Sequence, residues 1–277
     1  MSETLGFIGL GRLGLPSAAN LLSSGYALRV YNRTASKAEP LLAKGAQLAS
    51  RPAEVVTPGG IVITLVWDDA AVESVVMSEG FLEQLGPGGI HVGMSTIAPE
   101  TSRKLAAMHA EHGSTYLDAP IFGTPESANS RTLWIPLSGP KPAKERVRPI
   151  LQAMGGQGIV DFGEEVGAGN IVKIVGNFLI MSAGLSLHEA LSMAQHNGVD
   201  PKAVFEMLTT SPALFPAPIY QRHGKYMVEN LDQRPYAGSQ IPLKDVGLFK
   251  ESARQTESSA AIADLLLNLL QGEQADK

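Results

Sequence analysis

The segment Gly9-Leu10-Gly11-Arg12-Leu13-Gly14 has the spacing G-x-G-x-x-G. It follows a short apolar run, Leu5–Ile8, and opens an amphipathic stretch, Leu13–Ser24. Strand, glycine turn and helix in that order are the context that a dinucleotide-binding turn requires. Gly9 permits the tight turn, Gly11 lets a pyrophosphate approach the backbone, and Gly14 lets the helix pack on the strand. Backbone N–H groups and the helix dipole then stabilise the phosphates. A glycine-rich turn that holds no ligand is the alternative, and the end of the second strand bears on the choice. That strand, Ala27–Tyr31, leads into Asn32-Arg33-Thr34. An NAD-selective site carries an acid here to hold the ribose 2′-hydroxyl, and Asn32 stands in that place. A guanidinium at Arg33 pairs with a 2′-phosphate, and the Thr34 hydroxyl donates to it. Residues 9–14 and 32–34 therefore read as a site for NADPH in preference to NADH, with a merely solvated Arg33 as the alternative.

The elements that must position this turn are legible as a pattern. Leu5–Ile8, Ala27–Tyr31, Ile61–Val66, Ile90–Gly93 and Tyr116–Leu117 read as buried strands, and Leu13–Ser24, Ala35–Lys44 and Pro99–His112 as helices between them. Gly25, Gly45 and Gly113 stand where a helix C-terminus favours a left-handed residue. Alternating strands and helices with short joints imply a doubly wound, mostly parallel Rossmann-type sheet covered on both faces. Trp134–Ser138 and Ile159–Phe162 read as later strands, with a helix over Ala143–Met154. The pattern changes near Glu164–Gly169, which sets a boundary between a dinucleotide-binding domain, 1–165, and an all-helical domain, 166–277. Ala168–Asn197 reads as one long helix, about 45 Å at 1.5 Å per residue. It is apolar nearly all round in its middle, which predicts burial. Pro201–Thr210 reads as a helix capped by Asp200, Ser211–Pro218 as a loop, and Pro242–Thr256 and Ser259–Leu270 as the last helices.

Composition narrows the function classes. The chain has 277 residues, 44% hydrophobic and 18% charged, enough for two packed domains. A net charge of −5 argues against a nucleic-acid partner. With no cysteine there is no disulfide and no sulfur-ligated metal, and the six His residues show no close-spaced ligand pattern. The start of the chain lacks the pattern of a secretory signal, so a cytoplasmic location is expected. The apolar stretch Ile174–Leu187 is shorter than the roughly 20 residues of a membrane span and contains Asn177, so a buried helix is expected there instead.

Five segments together resemble the β-hydroxyacid dehydrogenase family, which includes 3-hydroxyisobutyrate dehydrogenases and the glyoxylate and succinic semialdehyde reductases. In order they are Gly6-Phe7-Ile8-Gly9-Leu10-Gly11 with Gly14 and Pro16; Met94-Ser95-Thr96-Ile97-Ala98-Pro99; Asp118-Ala119-Pro120-Ile121 with Gly123; Gly167-Ala168-Gly169-Asn170-Ile171-Val172-Lys173 with Asn177; and Lys244-Asp245-Val246. The resemblance covers nearly the whole chain and implies a dehydrogenase or reductase with Lys173 as general acid/base. A lysine ammonium can protonate a carbonyl oxygen as hydride reaches the carbon. Asn177, one turn along the helix, would orient the substrate or Lys173. Gly169, one turn before, leaves room for close approach. The resemblance places Ser95 and Thr96 near the nicotinamide, as substrate and cofactor contacts, and Lys244 near cofactor and substrate with Asp245 orienting it. An ordinary surface lysine at 173, a Ser/Thr cap before Pro99 and a surface ion pair at 244–245 are the plainer alternatives.

The third segment departs from the family's Asp-Ala-Pro-Val-Ser-Gly-Gly. Phe122 stands at the serine that helps hold a substrate carboxylate, followed by Gly123 and by Thr124 at the second glycine. Arg131 replaces a usual glycine, and Gly176 an asparagine. Two substrate readings follow: a different acid held by Arg131 or Thr124, or an uncharged carbonyl seated against Phe122, Trp67 or Phe215. Core packing is the alternative for each aromatic residue. The expected function is NADPH-dependent hydride transfer to or from a small carbonyl or hydroxy compound, a semialdehyde or β-hydroxyacid-like molecule. Reduction of uncharged aldehydes, ketones or imines and a non-catalytic NADP-binding scaffold are the alternatives. The apolar central helix implies a homo-oligomer, a dimer or tetramer.

Overall fold

The strands of the first half alternate their side chains between two apolar layers, which is what a sheet covered on both faces demands. In the computed structural model, which describes residues 3–210, 218–233, 235–236 and 239–271, six of them form one parallel sheet. They are β1 (Thr4–Ile8), β2 (Ala27–Tyr31), β3 (Gln47–Leu48), β4 (Ile61–Thr64), β5 (Ile90–Gly93) and β6 (Thr115–Asp118), in the order β3-β2-β1-β4-β5-β6. Leu5, Phe7, Ile61 and Ile63 enter one core, with Leu28, Val30 and Val92; Ile8 and Val62 enter the other, with Phe81, Leu85 and Leu105. The connecting helices are α1 (Gly14–Ser23), α2 (Glu39–Leu42), α3 (Asp69–Val76), α4 (Phe81–Leu85) and α5 (Pro99–Glu111). The strand order reverses between β1 and β4, so the glycine turn after β1 sits at the topological switch point where such sheets bind ligands.

The later strands differ from expectation. After α6 (Pro125–Asn129), β7 (Leu133–Leu137) and β8 (Gly156–Asp161) pair in parallel with each other around α7 (Lys141–Met154), and form a second, two-stranded sheet. An isolated antiparallel bridge, Asp118 to Ser138, joins the end of β6 to the residue that follows β7.

One polar chain runs through the second core. His109 Nδ1 donates to Leu105 O (2.7 Å), which leaves Nε2 of the neutral ring to accept from His91 Nδ1 (3.1 Å). His91 Nε2 then accepts from the Thr64 hydroxyl (2.8 Å). Burial depresses the pKa of both rings, that of His109 to about 4, so both stay neutral.

The contacts divide the chain into two units, 1–173 and 174–277, with the division inside α8 (Ala168–His196). The reason is local: the first turn of α8 is hydrogen-bonded into the first unit, as described below. The second unit continues with α9 (Pro201–Thr210), α10 (Pro218–Glu229), α11 (Ile241–Gln255) and α12 (Ala261–Gln271), with no strand among its described residues. The Asp200 carboxylate caps α9 by accepting from Lys202 N (3.0 Å). Leu185, Val246, Ala263, Leu266 and Leu270 form one small core of this unit, and Leu191, Met227 and Leu231 another. The loop expected over Ser211–Pro218 lies outside the described residues, apart from Pro218, which begins α10.

The middle of α8 is not buried all round. Ile171, Val175, Leu179 and Met193 are 43%, 41%, 60% and 63% exposed and fall on one helical face. Among the described residues α8 is also the one helix long and apolar enough to cross a membrane, with a mean hydropathy of 1.5 in its most apolar window. Its buried positions nevertheless include Asn170, Lys173 and Asn177 beside Ile174, Leu185 and Leu191.

Candidate active site

The glycine turn separates what the protein needs for itself from what it leaves to a ligand. Gly9 has φ +100°, and a Cβ there would lie 2.2 Å from Leu65 O. A Cβ on Gly14 would lie 2.0 Å from Gly9 O. Packing alone forbids a side chain at both positions. A Cβ on the exposed Gly11 would meet nothing within 4 Å, so the fold does not require glycine there, and its missing side chain leaves a cradle open beside the backbone. Helix α1 begins with no side-chain cap and no acid in its first turn, so its positive end is available to an anion.

Around this turn the residues expected from the sequence divide. The Leu10 side chain is buried in the core, which leaves only its backbone near a ligand. Asn32 accepts from Leu10 N through its Oδ1 (2.9 Å) and donates to Thr34 O through its Nδ2 (2.9 Å), so it ties the glycine turn to the end of β2. A carboxamide satisfies a backbone donor and a backbone acceptor together, which a carboxylate cannot. Arg12, Arg33 and Thr34 are exposed and Leu13 is half-buried. Lys37, in the 3-10 turn Ala35–Ala38, adds a cation that sequence reasoning missed, and no acid stands between Tyr31 and Ala38. The signal that could have found it is its spacing from Arg33: two cations four residues apart, flanking a turn free of acids.

A second cluster organises the start of α8. Asp118, at the end of β6, is fully buried. It accepts from Ser102 Oγ (2.8 Å), Asn170 Nδ2 (2.9 Å), Ser138 Oγ (3.4 Å) and Gly167 N (2.5 Å). Burial pushes its pKa up, and these four donors oppose that. Asn170 Oδ1 in turn accepts from Ile97 N (3.1 Å), and Ser138 Oγ accepts from Gly169 N (2.9 Å). A Cβ on Gly169 would come within 3.0 Å of Asp118 Cβ and of Pro136 O, so glycine lets the helix approach the strands. The network joins the segment after β5, the end of β6 and the first turn of α8, and it fixes the base from which Lys173 projects.

Lys173 is 9% exposed, and its Nζ lies 4.2 Å from the centre of the Phe122 ring. Phe122 is half-buried and belongs to none of the apolar cores. Its backbone pairs with Trp134 in both directions, N to O at 2.8 Å and O from N at 3.0 Å. A Cβ on Gly123 would lie 2.5 Å from the tip of the Leu133 side chain. The Thr124 hydroxyl caps α6 by accepting from Ser127 N (3.2 Å). Arg131 has φ +59°, which explains a glycine preference at that position, and it donates to Asn20 O and Ser24 Oγ (both 3.2 Å) at the end of α1. Thr124 thus caps α6 and Arg131 braces the end of α1. Ser95 is 2% exposed, and its hydroxyl accepts from Val66 N (2.9 Å), joining two loops. Thr96 beside it is half-buried. Trp67 is 52% exposed, which removes a core role, and Phe215 lies outside the described residues.

In the second unit, Asp245 is 3% exposed and holds two of the expected residues. Asn177 Nδ2 donates to its Oδ2 (2.6 Å), and Lys244 Nζ pairs with its Oδ1 (2.9 Å). The pairing of Lys244 is therefore with a buried carboxylate rather than a surface one. Because a carboxylate only accepts, Asn177 must turn its amide toward Asp245, so its carbonyl oxygen points the other way.

Comparisons with known proteins agree with this geometry. Residues 4–172 match the NAD binding domain of 6-phosphogluconate dehydrogenase, and residues 167–277 the NAD-binding domain of NADP-dependent 3-hydroxyisobutyrate dehydrogenase. An uncharacterised oxidoreductase of Bacillus subtilis is 40% identical over 259 residues, 93% of this chain and 89% of that protein. The NAD-dependent L-serine dehydrogenase of Pseudomonas aeruginosa is 33% identical over 272 residues, 96% of this chain and 91% of that protein. A solved complex of Psf3 with NADP+ and 2-OPP superposes with a TM-score of 0.78 at 26% identity, covering 95% of this chain and 92% of that one. Two family models that together span the chain, over a sheet and helical domain of the matching architecture, show that this protein is an NAD(P)-dependent oxidoreductase of the β-hydroxyacid dehydrogenase family.

Proposed function

We propose that this chain transfers hydride between NADP(H) and a small carbonyl or hydroxy compound, with Lys173 exchanging the proton at oxygen. The observation that carries this reading is the buried ammonium of Lys173, set on a helix whose first turn is fixed by Asp118, Asn170 and Ser138. When bound, NADPH supplies the hydride. Residues 9–14 hold the pyrophosphate through backbone N–H groups, the Gly11 cradle and the start of α1. Arg33, with Thr34 and Lys37 beside it, binds a 2′-phosphate. Lys173 donates a proton to the carbonyl oxygen and takes it back in the reverse direction. Asn177, four residues further along α8, orients the substrate, and Asp245 fixes both Asn177 and Lys244. Thr96 and Lys244 serve as cofactor contacts.

One relative is named as NAD-dependent and one solved neighbour is an NADP+ complex, so the choice of cofactor rests on this chain's own Asn32-Arg33-Thr34. Steady-state oxidation of NADPH and of NADH against a panel of small aldehydes and ketones tests the reading. It expects turnover with kcat/KM at least about tenfold higher for NADPH, a difference that Arg33→Ala removes, as loss of one charged phosphate contact implies. Equal use of NADH, or NADPH bound without turnover of any carbonyl, would overturn it. The exposed stripe Ile171–Val175–Leu179 further supports a homo-oligomer in which a second copy covers α8. Light scattering is expected to give a dimer or tetramer, and a monomeric mass would refute this.

A further inference from the structure

We propose that the substrate is an uncharged aldehyde or ketone, and that the Phe122 ring over the Lys173 ammonium sets that choice. This rests on the reading of Lys173 as the proton donor. The wall beside that ammonium is made by the segment that follows β6, and a carboxylate bound there would need donors. Phe122 N already donates to Trp134 O. The Thr124 hydroxyl and the Ser127 N–H are joined in the cap of α6, and the first turn of that helix carries its own acid, Glu126. Arg131, the cation of this region, is turned to the end of α1 and donates to Asn20 O and Ser24 Oγ.

What faces Lys173 is an aromatic ring at 4.2 Å, inside the range of a cation–π contact. Its negative face suits an ammonium and repels a carboxylate, and none of its atoms replaces the hydrogen bonds that a carboxylate loses on leaving water. A neutral carbonyl loses far less hydration, and its oxygen needs a single N–H donor. Phe122 is half-buried and belongs to none of the apolar clusters of the described residues.

The test uses the full-length protein, NADPH and a matched pair that differs in one charge: succinic semialdehyde, a carboxylate at neutral pH, and its methyl ester. Wild type is expected to show a kcat/KM for the ester at least about tenfold above that for the acid, since a buried unpaired charge discriminates at least that strongly. Phe122→Ser, which exchanges the ring for a small donor, is expected to move the acid-to-ester ratio toward the acid by about tenfold or more, mainly through KM. Wild-type turnover of the acid as efficient as that of the ester would overturn the proposal, and this comparison needs no variant to fold. An unchanged ratio in a folded Phe122→Ser variant would overturn the role of Phe122. Failure of the underlying reading looks different: neither compound is turned over although NADPH binds, and that result removes both.

Discussion

At the end of β1 a Cβ on Gly11 would meet no atom within 4 Å, whereas after β6 a Cβ on Gly123 would lie 2.5 Å from Leu133 Cδ2. The two glycines look alike in sequence and answer to different causes. In the turn after β1 the fold leaves space, backbone and an uncapped helix end toward solvent, and what it leaves fits a pyrophosphate. In the segment after β6 the glycine is absorbed by packing, the threonine by a cap and the arginine by α1, and an aromatic ring meets the ammonium. A ligand site is thus recognised by what the protein does not use for itself. By that measure the turn after β1 is open to an anion, whereas the wall after β6 is set by an aromatic ring.

The largest effect that sharpens the comparison is expected at Gly9. Gly9→Ala would drive a Cβ to 2.2 Å from Leu65 O at a left-handed φ, and is expected to cost more than about 4 kcal/mol and to leave little folded protein. Asp118→Asn comes next. It turns an amide toward donors that now meet a carboxylate, at a cost of about 3 kcal/mol in thermal or denaturant unfolding. In the folded fraction it should lower kcat with little change in NADPH affinity, because the network positions α8 and not the turn after β1.

Of similar size is a pH effect from His109. Its folded pKa of about 4 lies below the ordinary value of 6.5, so its neutral form is favoured in the fold. The stability is complete above about pH 6.5 and is lost as the pH falls from there toward 4, up to about 3 kcal/mol. Each ring of the Thr64–His91–His109 chain has one donor and one acceptor engaged, so a proton on either breaks a bond. Unfolding followed from pH 7 to 4.5 should show this decline, and His91→Leu combined with His109→Leu should flatten it. The smallest effect is expected at Gly11. Gly11→Ala should leave the unfolding transition in place and weaken NADPH about tenfold, or about 1.4 kcal/mol. Lost stability at Gly11 with intact NADPH binding would break the comparison.

Much of the fold is legible in the sequence because its signals are local. The bounds of β2, β5 and α9 can be read to the residue, since a short apolar run ending in a turn and a proline after an acidic cap are short-range features. Strand β3 has two residues, too few for any period to be read. That β7 and β8 leave the main sheet is a matter of pairing partners, which a strand's own sequence does not state. The site shows the same limit. The glycine turn is readable from spacing, but Asp118 acts through partners 16 to 52 residues away, and nothing next to Asn32 says that it bonds Leu10 N. Arg131 reads as an acid binder because a cation stands where glycine is usual; its three-dimensional neighbours make it a brace for α1.

The most direct test of the account is single-turnover hydride transfer from preloaded NADPH to a neutral aldehyde, measured for wild type and Lys173→Ala with NADPH affinity determined in parallel. The account predicts that the variant binds NADPH as wild type does and transfers hydride about 100- to 10,000-fold more slowly, the range for loss of a positioned general acid. A variant that binds NADPH normally and keeps its rate within a few-fold would contradict Lys173 as the proton donor.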